Sequence, residues 1–75
     1  MEQADELFQV ILKQDSSKGY MAYAQAYAKA GLGLEGDALR VQILYILNNL
    51  QHWRGKTARE VKKALKSLER ELRKS

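Results

Sequence analysis

Apolar residues recur along this chain at helical spacing, in four stretches broken by glycine. In the first, Ala4, Leu7, Phe8 and Ile11 follow the i, i+3, i+4, i+7 pattern of one buried helix face, with Val10 and Leu12 at its edges. Glu2, Asp5 and Glu6 occupy the first turn, where negative charge suits the helix dipole. Asp15-Ser16-Ser17-Lys18-Gly19 ends the stretch. In the second, Tyr20, Tyr23 and Tyr27 share a face, and Ala22, Ala26 and Ala30 form a row of small residues that lets another helix come close. Ser16 or Ser17 is the expected N-cap, and Gly31 the expected left-handed terminator.

Gly31 to Asp37 is a connection, whose Leu32 and Leu34 are too apolar for a free loop and are expected to plug the core. Asp37, or else Gly36, is the expected cap of the third helix. There Leu39, Ile43, Ile46, Leu47, Leu50 and Trp53 make one broad apolar face, while Val41, Leu44 and Tyr45 lie on the reverse side. A helix apolar nearly all round belongs in the centre of a bundle or at a second interface. Gly55 is expected to end it, and Thr57-Ala58-Arg59-Glu60 then has the form of a capping box. In the last stretch Val61, Leu65, Leu68 and Leu72 make a narrow stripe like that of a coiled coil. Glu69 and Arg73 form a favourable i, i+4 pair. The pattern predicts an all-α fold, a compact bundle of four short helices over about residues 2–14, 18–30, 38–53 and 58–73. The third helix is expected to be central, and residues 1–75 to form a single domain.

Composition narrows the chemistry. A 75-residue chain is marginal as a lone domain. With no cysteine and one histidine, it has neither disulfides nor a Cys/His metal set to reinforce it. Tight helix packing or self-association remains. No apolar run approaches the roughly 18 residues of a membrane span. The acidic N-terminus lacks the basic start of a secretory signal, so a cytoplasmic location is expected. No nucleophile–base pair or phosphate-binding glycine loop is present, so no enzyme, cofactor, metal or small-molecule substrate is expected. The glycines of Gly31-Leu32-Gly33-Leu34-Glu35-Gly36 have the wrong spacing for a dinucleotide site, and no strand precedes them.

Charge adds the clearest pointer to a partner. Residues 1–37 carry a net −3 and residues 38–75 a net +7. Arg59, Lys62, Lys63, Lys66, Arg70, Arg73 and Lys74 fall within an arc of roughly 120° on the last helix. The first six are candidate nucleic-acid-binding residues, through non-specific phosphate contacts; the alternative is a solvated outer face. The turn at residues 52–57 before a basic helix resembles a helix-turn-helix in outline. A recognition helix, however, reads bases through its first residues, and only Arg59 there suits that task. Candidate protein-interface residues are Tyr20, Tyr23, Tyr27, Val41, Leu44, Tyr45 and Trp53. Their alternative is a core role: Trp53 is in register with the apolar face of the third helix, and the tyrosines can pack over that helix. His52 is expected to be an exposed turn residue. The leading expectation is a helical protein-interaction or assembly module whose partner is another protein or a second copy, as in a homodimer. A small nucleic-acid-binding protein is the alternative.

Overall fold

In the computed structural model, residues 1–74 are described. Among them four helices form: α1 (Glu2–Leu12), α2 (Gly19–Gly31), α3 (Gly36–Asn49) and α4 (Lys56–Lys74). The all-α bundle expected from the pattern is present. Its Cα radius of gyration is 11.2 Å, against about 11 Å for a compact chain of this length.

Cross-links between helices fix their directions. The Gln25 amide of α2 donates to the Ile11 and Gln14 carbonyls at the end of α1 (3.1 and 2.7 Å). At the other end, the Gly33 N–H reaches the Asp5 carboxylate (3.3 Å). Tyr20, at the start of α2, meets His52 just beyond α3, while Tyr27 meets Tyr45. Arg40, early in α3, lies 3.6 Å from Glu69, late in α4. Each helix therefore runs back along the one before it, an up-down arrangement. α3 packs on α2 and α4, and α1 closes the ring against those same two helices. The central position expected for α3 is thus shared with α2.

The core follows the expected stripes. Phe8, Ile11, Leu39, Ile43, Ile46, Leu50 and Leu65 are fully buried. Leu32 and Leu34 pack against this core from the α2–α3 connection. On α2 the packed row is Met21, Ala24, Ala28 and Gly31, while Ala22, Ala26 and Ala30 are exposed. Of the two alanine rows on this helix, the one that ends at Gly31, beside the Phe8 ring, is the one that packs. A Cβ on Gly31 would stand 2.8 Å from Cε2 of the Phe8 ring and 3.2 Å from Cγ of Gln42. Gly31 is the last residue of α2, but the helix ends where Leu32 turns extended and not through a left-handed φ at Gly31; Gly33, Gly36 and Gly55 adopt positive φ instead.

Several expected ends move. α3 stops at Asn49, four residues short of Trp53, and α4 starts at Lys56. Thr57 is therefore inside the first turn of α4, so the expected capping box does not form. The Gly55 carbonyl, at φ 114°, instead accepts the Arg59 N–H at 3.0 Å. α3 starts at Gly36 after Glu35, and Asp37 bonds the Arg40 Nε at 2.8 Å rather than capping. Lys18 precedes α2, and Ser17 donates to Asp15 in the turn before it. In each case the backbone enters the helix in an extended or glycine conformation, without the side-chain cap that residue type alone suggests.

Candidate interaction surfaces

The basic helix is anchored before it is free to bind. Helix ends leave carbonyls without intrahelical donors. At the end of α3 those of Leu50 and Trp53 are met by the Lys62 ammonium, at 3.2 and 2.6 Å. Lys62 thus stitches α4 to the end of α3, as Gln25 stitches α2 to the end of α1. Arg73 is also engaged. Its Nε donates to Glu69 Oε2 at 3.1 Å, and its Nη2 bonds the other oxygen. Glu69 is buried, and Arg40 Nη1 approaches its Oε2 at 3.6 Å as well. The Arg73 hydrogen bonds hold the Glu69 carboxyl below the usual carboxylate range, against the opposing effect of burial, and Arg40 adds to the lowering. The same bonds raise the Arg73 guanidinium above its usual value.

Removing these two leaves Arg59, Lys63, Lys66 and Arg70, all exposed and at i, i+4, i+7, i+11. None has a carboxylate partner among the described residues. Arg59, Lys63, Lys66 and Arg70 line one shallow groove with Ser67 and the flank of Lys62. The helix-turn-helix outline fades, because α3 and α4 are antiparallel neighbours joined by residues 50–55, longer than the usual turn of about three or four residues.

The candidate protein-interface residues divide in the same way. Trp53 is only 8% exposed and belongs to the core, as its register with Leu39 and Ile43 allowed. It leaves the candidate surface because the chain turns at Leu50 and folds the indole inward. Tyr20 is half-buried against the core, its ring edge-on to His52 with centroids 6.3 Å apart. Val41 is half-buried. Tyr23, Tyr45, Leu44 and Tyr27 are 66%, 52%, 42% and 37% exposed. Tyr27 and Tyr45 stack, centroids 5.7 Å apart and planes 29° from parallel. Beneath them the Gln42 side-chain amide donates to the Tyr27 carbonyl (2.8 Å), tying α3 to α2, and the Asn49 side-chain amide donates to the Tyr45 carbonyl (2.9 Å) within α3. The α3–α4 groove, lined by Leu44, Leu47, Asn48, Gln51, Lys62 and Lys66, brings Leu44 of this cluster to the edge of the cation row.

Gln25, Arg40 and Glu69 are the connecting residues that pattern reading missed. Glu69 carried a signal in its i, i+4 spacing to Arg73, but nothing in the chain marked it as buried or linked it to Arg40. No group of His, Cys, Asp or Glu able to hold a metal occurs among the described residues, and none of their helices is long and apolar enough to cross a membrane. The class defined here is a small up-down helical bundle with exposed tyrosines on α2 and α3 and a row of cations on α4. Comparison with known proteins gives no match to a family, a curated protein or a solved structure, so no function carries over from a relative.

Proposed function

We propose that this chain is a self-assembling protein-interaction module whose α2–α3 face buries against a second copy. The observation that carries the reading is the exposed cluster of Tyr23, Tyr27, Leu44 and Tyr45 on adjacent helices. Such a cluster, rimmed by polar groups, is what an interface presents before it is covered. Tyrosine supplies large contact area with few rotatable bonds to freeze.

A second copy fits this face better than a charged partner. In a two-fold contact, residues near the axis meet their own counterparts. Tyr23, Ala26, Tyr27, Ala30, Leu44, Tyr45 and Asn48 are uncharged, so self-contact brings no like charges together. The exposed Ala22, Ala26 and Ala30 row lets a facing helix come close. The cation row on α4 is barred from such a contact by its own repulsion. A catalytic role has no support in the chemistry of these faces.

Sedimentation velocity over a wide concentration range tests the reading. A dimer is expected, little affected by salt. Tyr23→Glu with Tyr45→Glu is expected to give a monomer of unchanged helicity, since both side chains point away from the core. A wild-type protein that remains monomeric at high micromolar concentration refutes the proposal.

A further inference from the structure

We infer that Arg59, Lys63, Lys66 and Arg70 form a docking row for the phosphate backbone of a nucleic-acid duplex, read without regard to sequence. The inference stands apart from the self-assembly reading, because it uses a different helix face and a different force.

The row is straight and narrow. Its members fall within an arc of roughly 60° at about 100° per residue. At about 1.5 Å of rise per residue they span roughly 16 Å of helix. A duplex carries one charge per about 1.7 Å of axis, so a row of this length passes about ten phosphates. All four side chains are exposed. No carboxylate among the described residues neutralises them, so their counterions are released only when an anionic partner arrives. Lys62 and Arg73 lie in the same sequence pattern but are held by carbonyls and by Glu69. Of the six candidate cations, four thus form the working row, and Lys74 stands beyond them in the last turn of α4.

What the row lacks defines the partner. Its line of four cations contains no aromatic side chain, so it has no platform for stacking the bases of a single strand. It has no apolar anchor of the kind that carries binding energy in protein interfaces. Among the first residues of α4 only Lys56 and Arg59 have side chains suited to base readout, and the rest of the row lies further along the helix, which favours phosphate contact over base recognition. Attachment to phosphates by counterion release needs none of these features.

The test is fluorescence anisotropy with a labelled 20-base-pair duplex between 50 and 200 mM salt. Four phosphate contacts predict a log–log salt slope of about −3.6 per protomer, an affinity loss of about a hundredfold across that range. Lys63→Glu with Arg70→Glu is expected to weaken binding at 50 mM salt by at least about thirtyfold, with circular dichroism unchanged. Lys13→Glu with Lys29→Glu makes the same change in net charge at exposed positions just after α1 and on α2, and is expected to leave most of the affinity in place. Equal losses in the two double variants overturn the inference, because net charge and not the row is then responsible. It is also overturned by a slope near zero, by no binding at 50 mM salt, or by poly-glutamate of matched charge binding as tightly as the duplex. The last result assigns the row to acidic protein surfaces instead.

Discussion

Lys62 and Lys66 lie one turn apart on α4, carry the same side chain and belong to the same helical stripe, yet they do different work. Lys62 turns toward the end of α3 and satisfies two carbonyls there. Lys66 stays exposed beside the α3–α4 groove. Trp53 and Tyr23 show the same contrast among the aromatics, one folded into the core and the other two-thirds in solvent. Residue type and periodicity identify what a side chain can do. Whether it is spent on the fold or left for a partner depends on which unsatisfied group the neighbouring helix end places within reach.

The largest effect expected from this contrast lies with the aromatics. Trp53→Ala is expected to destabilise the bundle by about 3–5 kcal/mol, as buried aromatic truncations do. Tyr23→Ala is expected to stay within about 0.5 kcal/mol when the protein is monomeric. Urea denaturation at low protein concentration compares them, and similar losses for both place Tyr23 in the packing after all.

The lysines come next. Lys62→Met keeps the stem but leaves the Trp53 carbonyl without its donor and the Leu50 carbonyl with the Trp53 N–H alone, at an expected cost of about 1 kcal/mol at this half-buried site. Lys66→Met is expected to change stability by less than about 0.5 kcal/mol. Thermal melts separate the two, and an equal shift dissolves the distinction between anchoring and free cations.

The smallest effect is a pH dependence at Glu69. Its carboxyl is held below the usual range in the folded state by Arg73, so it contributes stability above the unfolded-state value. That contribution is lost as pH falls through the folded value. Glu69→Gln is therefore expected to melt below the wild type at neutral pH, with the gap narrowing as pH drops beneath the usual carboxylate range. A gap independent of pH points to a packing change rather than the charge.

The number of helices and their buried stripes were legible because burial imposes a period on the chain. Ala4, Phe8, Ile11, Leu39, Ile43, Ile46, Val61, Leu65 and Leu68 could be picked out by spacing alone, and all are buried. Helix ends were less legible. Thr57 and Asp37 are good caps by residue type, but glycine-assisted turns start both helices earlier. The candidate surfaces were legible as types and not as members. Tyr23, Tyr27, Leu44 and Tyr45 stand exposed, and Arg59, Lys63, Lys66 and Arg70 stand in a row, yet no local pattern distinguished them from Trp53, Lys62 or Arg73.

Four amphipathic helices are a local property of this chain, written in apolar residues every three or four positions and in the glycines between them. Other features depend on residues far apart meeting. Gly31 is required by Phe8, Gln25 answers the end of α1, Lys62 answers the end of α3, and Glu69 takes a second arginine from α3. Each of these depends on a distance between helices, which the chain acquires only when the bundle closes. That closure also sets which tyrosines and which cations are left facing outward.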